Sequence, residues 1–520
     1  MDLVTQNRNK NLSYSLLASL CSFAISMGIN FFMTPFIVRT LGVEANGFLG
    51  LANNFINYFS LVTLALHSMA GRFITLKFCN NEIEEAGRYF NSLFISNIVL
   101  SILVFFISLV CVINIEYLVK VPVELLPDVK LTFAITFASY IVHIMTVAFS
   151  ISFFSTNKLY LQSIRNIQSV ILRVIIILLA FLLLKPSIVY VAIGTIVSGI
   201  FILCIDIYYF KKLLPEIKVD RSQFEFAKVK ELLASGVWNV VSKAGDILAT
   251  GLDLLISNIF IGATAMGILA VSKTVPNVLI ILIYSVSGVF APEMTILYGQ
   301  GRQYELKKSI KQAMHMLCVF VSIPNAILII YGKEFFSLWQ PTQDAGLLWI
   351  LSVVAIISMF IIGPAMPLEH VFTITNKVYE NSMVTIVSSL LSFIVTLILL
   401  KTTGLGLYAI VGVSMAGSSL VALAYRIPRS AVLLGLKWYT FYNEIGINII
   451  LSILIMAIGF AVKAIIPAHT WLTLISSGGI TAILALILQW FVLLGKDTKT
   501  LIIQKVKSIK INYPRLLLRK

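Results

Sequence analysis

The chain reads as an all-α polytopic membrane protein of about 14 transmembrane helices, built as two six-helix repeats followed by two extra C-terminal helices. Three observations lead there. The 520 residues are 59% hydrophobic and only 12% charged, with a mean hydropathy of +0.96, a balance that water-soluble domains do not have. Apolar stretches of the ~20 residues that a bilayer requires recur along the whole chain. Short segments of the first half also reappear, in order, in the second.

The spans fall near 12–38, 45–78, 90–114, 131–155, 167–184, 188–210, 234–260, 264–298, 309–330, 344–370, 382–400, 406–425, 445–465 and 471–494. Several exceed the minimum length, so tilt or extension beyond the bilayer is expected. Pro35, Pro276, Pro324, Pro364 and Pro367 lie inside spans and mark expected kinks. The N-terminal MDLVTQNRNKN leads into an apolar run too long for a signal-peptide core, and no convincing cleavage site follows. That run is expected to remain as the first span. Cys21, Cys79, Cys111, Cys204 and Cys318 sit in or beside apolar segments without CxxC pairing. Buried thiols are expected, with neither disulfides nor a metal site.

A formal net charge of +16 invites a nucleic-acid partner, but the basic residues are sorted into alternate loops and the tail. With the N-terminus inside, inner loops, adjoining span ends and tail hold about 29 Lys and Arg and the outer loops about 7. Arg173, Lys243 and Lys273 remain inside spans. This asymmetry predicts cytoplasmic termini and argues against nucleic acid. The densest inner loop, 211–233, reads as an amphipathic connector. Ser222 followed by Glu225 has the pattern of a capping box, and Phe224, Leu232 and Leu233 would lie on the membrane surface. The tail, 495–520, interleaves basic residues with Leu and Ile and is expected to rest on anionic lipid. The plainer alternative for both is a solvated basic segment.

The internal repeat is the most informative feature. LGVEANG (41–47) matches IGATAMG (261–267), TNKLY (156–160) matches TNKVY (375–379), and YVAIGTIVSG (190–199) matches YAIVGVSMAG (408–417). The offsets are nearly constant. Parallel repeats of even span number imply a pseudo-two-fold axis along the membrane normal. The expected organisation is a six-helix bundle at 1–210, the connector at 211–233, a second bundle at 234–444, two additional spans at 445–494 and the tail.

The seventh span, 234–260, carries Asn239, Lys243, Asp246, Thr250, Asp253 and Ser257 at alternating spacings of four and three. That spacing puts all six on one helix face. Ionisable groups at bilayer depth are costly, so the stripe should face a cavity or partner helices. The first span has an uncharged counterpart in Ser15, Ser19, Ser22, Ser26 and Asn30. The second span offers Asn53, Asn57, Ser60 and His67, and the eighth Lys273, Asn277, Tyr284 and Ser287. Paired stripes predict a shared polar cavity lined by spans one, two, seven and eight. The plainer alternative for Lys243 and Asp246, three apart, is mutual neutralisation at a helix contact. Asp253 and Lys273 lie about 12 and 14 Å from the turn at 261–264, taking ~1.5 Å per residue, which makes them a candidate ion pair. His67 and His143 read as packing residues.

RTLGVEANG (39–47), the TNKLY segment after the fourth span, and twelve repeated helices plus two resemble one known group. This is the polysaccharide transporters of the multidrug/oligosaccharidyl-lipid/polysaccharide flippase superfamily, with the nearest likeness to Wzx-type flippases for O-antigen or capsule units. The family often has an aromatic residue before the Gly of the first loop, where this chain has Asn46. The resemblance implies a MATE-like fold in a bacterial plasma (inner) membrane. It also implies movement of an undecaprenyl-pyrophosphate-linked oligosaccharide from the inner to the outer leaflet. Membrane lipid, and the polymerase and chain-length proteins of such a pathway, would be its partners.

The residues suit that cargo. Arg173, Lys243 and Lys273 are candidates for the pyrophosphate, since Arg offers a planar fork and Lys a point charge. For Arg173 the plainer alternative is a snorkelling or helix-paired arginine. Asn53, Asn57, Asn239, Asn277 and Tyr284 are candidates for sugar hydroxyls. Asp246 and Asp253 are candidates for a coupling ion. No GxxxxGK[ST], HExxH or GxSxG motif occurs, so no cofactor, metal or enzymatic chemistry is expected, and energy would come from a proton or Na+ gradient. A cation-coupled multidrug exporter or a lipid II flippase is a sibling alternative. An integral-membrane glycosyltransferase or polymerase belongs to a different class and would want long acidic or Arg-rich outer loops.

Overall fold

The computed structural model describes residues 2–156 and 158–493; the basic tail lies outside the described residues. Long helices occupy all of the expected spans. The first runs Asp2–Leu41, the second Val43–Cys79, the third Ile83–Ile113, the fourth Leu126–Ser155, the fifth Leu159–Leu183 and the sixth Val189–Leu213. The seventh is assembled from Phe226–Asp246, a π-helical turn at Ile247–Gly251, and Asp253–Phe260. The eighth joins Ala263–Ser272 to Thr274–Gly288 and Ala291–Gly299. Gln303–Trp339, Ala345–Ile374, Val378–Thr402, Leu407–Leu433, Tyr442–Ile465 and Trp471–Val492 complete the set. Among the described residues, 13 helices are long and apolar enough to cross a membrane. The seventh span is not among them, because its charged residues and π-turn interrupt the apolar run.

Packing groups these helices into two units, residues 1–274 with 378–417 and residues 275–377 with 418–520. The second span is the spine of the first unit, running against spans three, four and seven and the start of the eighth. Its approach to the seventh span is close enough to require glycine. A Cβ on Gly236 would stand 2.0 Å from the Ala65 carbonyl oxygen. The first glycine of each loop repeat is explained by the backbone. Gly42 (φ 92) and Gly262 (φ 142) cap the second and eighth spans with a positive φ that L-residues rarely adopt.

In the second unit the ninth span is the spine, and the thirteenth and fourteenth pack along it. Polar ties fasten them at several depths. Ser322 Oγ donates to Asn448 Oδ1 (2.6 Å), the Tyr331 hydroxyl meets Thr481 Oγ1 (2.9 Å), and Lys463 pairs with Glu334 (2.7 Å). Without such bonds, interior polar groups at this depth would cost several kcal/mol each, on the order of 2–7.

The structure corrects several expectations. The connector does not carry a capping box at Ser222 and Glu225. Asp220 instead caps the short turn Arg221–Gln223, and Glu225 spends its carboxylate on Arg88 (2.8 Å). The connector is tied to the third span. Asn91 of the third span donates to the Lys218 carbonyl (2.9 Å) and to Gln223 Oε1 (2.9 Å), and accepts from the Asp220 amide (2.9 Å). Leu232 is fully buried, while Phe224 and Leu233 are partly exposed. Of the cysteines only Cys318 is buried; Cys21, Cys79 and Cys204 are exposed and Cys111 is intermediate, and all five are free. Helix ends and outer faces therefore hold most of the thiols. The helices continue through Pro35 and Pro324. The eighth span instead breaks at Lys273, three residues before Pro276. Proline has no N–H to give the Ser272 carbonyl, and its ring crowds that carbonyl.

Candidate functional site

A polar cavity of about 280 Å³ lies within the first unit. Asn30 of the first span, Asn53 of the second and Arg173 of the fifth face it, with Thr136, Thr195 and Thr274 from three further spans. Arg173 is ten residues from the end of its helix at Leu183, and Asn53 ten from the start of its own at Val43. Both are therefore ~15 Å deep at 1.5 Å per residue. Arg173 Nη2 donates to Asn30 Oδ1 (3.2 Å), which orients the guanidinium across the cavity. No carboxylate lines the cavity, and among the described residues none forms an ion pair with Arg173. A half-buried cation at this depth, held by a neutral amide, is arranged to receive an anion.

A second constellation stands beside it. Asp253 is 3% exposed and forms an ion pair with Lys273, which sits at the break in the eighth span. The two residues stand at matching depth on consecutive helices, as their distances from the turn at 261–264 predict. The π-turn just before Asp253 leaves the Gly251 carbonyl outside the regular helix ladder, with Leu252 N bonded to the Ile247 carbonyl (3.1 Å). Two side chains of the second span satisfy that carbonyl, Asn54 Nδ2 (3.1 Å) and the Tyr58 hydroxyl (2.8 Å). Wide turns of this kind recur at functional sites because they re-aim side chains.

The remaining candidate residues are spread along the same helices. Asn57 is exposed one turn beyond Asn53 and does not line the cavity. Asn239 and Lys243 are half-buried on the seventh span, and Asp246 is exposed. Asn277 and Tyr284 stand on the second segment of the eighth span, in the second unit, and both are exposed. Asn30 was visible in sequence as part of the first polar stripe. Asn54 and Tyr58 were not, since they sit beside the second stripe and act through the backbone of another helix.

Two buried charge clusters also escaped the sequence reading. Arg165, 6% exposed, pairs with Asp206, 0% exposed, and lies 5.6 Å over the Phe153 ring. Glu444, 2% exposed, is held by Lys311 (2.6 Å) and His315. Asp206 and Glu444 fall near helix ends in sequence, where a carboxylate would ordinarily be solvated. His67 donates from Nε2 to Asn97 Oδ1 (2.9 Å), because the Asn97 amide nitrogen is committed to the Ile144 carbonyl (2.9 Å).

Comparison with known proteins gives a consistent picture. Residues 10–297 match the family model described as polysaccharide biosynthesis protein. The chain is 28% identical over 499 residues to the uncharacterized membrane protein EpsK of Bacillus subtilis (strain 168), covering 95% of this chain and 97% of that one. Among solved structures it resembles an inward-facing MATE multidrug resistance transporter (TM-score 0.67, 14% identity, 82% of this chain and 98% of that one). It also resembles the lipid II flippase MurJ in an inward closed conformation (TM-score 0.66, 12% identity, 92% and 98%). The chain shares the fold of both structures.

Proposed function

Because the chain belongs to the polysaccharide biosynthesis protein family, we propose that it is a flippase for a lipid-linked oligosaccharide, with an undecaprenyl-pyrophosphate anchor, in O-antigen, capsule or exopolysaccharide assembly. The observation that carries this reading is Arg173, set about 15 Å from the end of its helix in a polar cavity, where no carboxylate among the described residues pairs with it. A diphosphate supplies the missing negative charge, and Asn30, Asn53 and the threonines around it supply partners for sugar hydroxyls. A cationic drug would meet repulsion at the same place, which weighs against an exporter.

In this reading the protein is a transporter and not an enzyme. It lies in the bacterial plasma membrane with both termini in the cytoplasm, following the sorting of Lys and Arg. Cargo enters from the inner leaflet and leaves to the outer one, where a polymerase and chain-length proteins would receive it. Moving a charged headgroup needs an energy source, and an ion gradient acting through Asp253, or through Asp246, would provide it. Lys243 and Lys273 would assist Arg173 with the diphosphate.

The test is reconstitution of the full chain in proteoliposomes with a fluorescent undecaprenyl-pyrophosphate oligosaccharide. Arg173→Ala should slow translocation at least tenfold, or about 1.4 kcal/mol of barrier, and Arg173→Lys less. Equal rates for wild type and Arg173→Ala would sink the assignment of the cavity.

A further inference from the structure

Where the eighth span stops and the ninth begins, the second unit holds a pocket of about 130 Å³. Leu306, Leu433, Leu434 and Leu436 give it apolar walls, and Tyr298, Gln303 and Lys307 give it polar groups. One wall is the turn that ends the twelfth span. Gly435 takes a φ of 70, which favours glycine, and folds the chain back over the helix end. In that turn Gly435 N donates to the Val432 carbonyl (2.9 Å) and Leu436 N to the Ala431 carbonyl (2.9 Å). Two helix-end carbonyls that would otherwise attract an ammonium are thereby occupied.

Lys307 is half-buried in this pocket, and among the described residues it forms no ion pair or hydrogen bond. The acids of the surrounding segments are committed elsewhere. Glu305 pairs with Arg302, and Glu444 with Lys311 (2.6 Å) and His315. The segments 299–311 and 429–444 carry six Lys and Arg against those two acids. An anion is what the pocket lacks.

Charge and surroundings narrow the anion. One ammonium neutralises a singly charged phosphodiester, whereas a phosphate dianion would keep an excess charge against leucine walls. Those walls suit the glycerol and first methylenes of a lipid. Tyr304, Trp438 and Tyr439 stand exposed in the same two segments, and Lys437 lies 5.8 Å over the Tyr439 ring. Exposed Trp and Tyr are enriched at the level of lipid headgroups. The pocket is too small for an oligosaccharide, so it is not a second seat for cargo.

We propose that Lys307, Gln303 and the turn 433–436 hold the headgroup of an anionic phospholipid, with its phosphodiester on the Lys307 ammonium. Basic pockets between span ends are a known way of holding such lipids. The lipid would join the ends of the eighth, ninth and twelfth spans. The sorting of Lys and Arg puts these ends on the cytoplasmic side, so the inner leaflet supplies it. The proposal stands without the flippase reading.

The experiment titrates the purified full chain, in detergent at fixed ionic strength, with phosphatidylglycerol or phosphatidylcholine. Phosphatidylglycerol should raise the apparent melting temperature of wild type by several degrees more than phosphatidylcholine does. Lys307→Gln should raise the half-saturating phosphatidylglycerol fraction about fivefold. Gln303→Glu, which sets a like charge at an exposed position of the pocket, should do the same. Lys308→Gln removes an equal charge next to the pocket but not in it, and should leave the titration unchanged. Equal losses in Lys307→Gln and Lys308→Gln would mean diffuse attraction and overturn the site. Equal responses to the two lipids, or the same stabilisation by sodium phosphate without lipid, would overturn the lipid assignment. Native mass spectrometry gives a second reading that does not depend on stability. Wild type should retain one more phosphatidylglycerol than Lys307→Gln, and equal counts would overturn the proposal.

Discussion

Gly47 and Gly267, equivalent residues of the two sequence repeats, lie against one another. A Cβ on Gly47 would stand 2.8 Å from the Gly267 Cα, and one on Gly267 would stand 2.2 Å from the Val43 carbonyl oxygen. The second glycine of each loop repeat is thus a contact between the second and eighth spans, while the first supplies the positive φ of the preceding turn.

Gly267→Ala is therefore expected to destabilise by roughly 1–3 kcal/mol, since the atoms it meets are backbone and cannot step aside. Gly42→Ala meets no neighbour and suffers only from φ, so about 1 kcal/mol is expected. Gly28→Ala meets neither obstacle and serves as the control. Thermal unfolding in detergent ranks the three, and a Gly267→Ala variant as stable as Gly28→Ala would contradict the contact.

The cavity makes a prediction about Asn30. Its Oδ1 orients Arg173, so Asn30→Ala should lower cargo translocation less than Arg173→Ala does, and the double variant should be no worse than Arg173→Ala alone. A double-variant loss equal to the sum of the two would mean that the residues act independently.

Removing one partner of the buried pair should cost more than removing both. Asp253→Asn or Lys273→Met alone is expected to destabilise by about 3–5 kcal/mol, and the double variant by much less. Asp246→Asn, at an exposed position, should stay within about 1 kcal/mol. Apparent melting temperatures read all four, and a double variant as unstable as the singles would show that the pair is not the determining interaction.

The connector should be a pH-sensitive strap. Asn91→Ala removes all three of its hydrogen bonds to the connector at once, so cleavage within 214–225 by an added protease should accelerate. The Ser222 amide donates to Asp220, which holds that carboxyl below its ordinary value. A depressed carboxyl stabilises above its unfolded pKa and loses that contribution as pH falls through the folded one. An acid-active protease should therefore cut wild type faster as pH falls below the ordinary aspartate range, and Asp220→Asn should flatten that rise.

The sequence by itself determined the membrane-spanning fold, the places of the spans and the repeat. These follow from local quantities: the length of apolar runs, the spacing of polar residues on a 3.6-residue period, and paired glycines. It also determined the Asp253–Lys273 pair, because two consecutive helices joined by a short turn bring equal depths together. Tertiary structure alone decided which polar residues share a cavity. Arg173 reaches Asn30 across 143 positions of chain, and no periodicity carries that distance. It alone placed Asn54 and Tyr58 on the Gly251 carbonyl, because a π-turn changes which backbone group is free without changing the residue types around it. It alone buried Asp206 and Glu444. A carboxylate near a helix end is solvated or enclosed according to what packs over it, and that depends on the paths of distant helices.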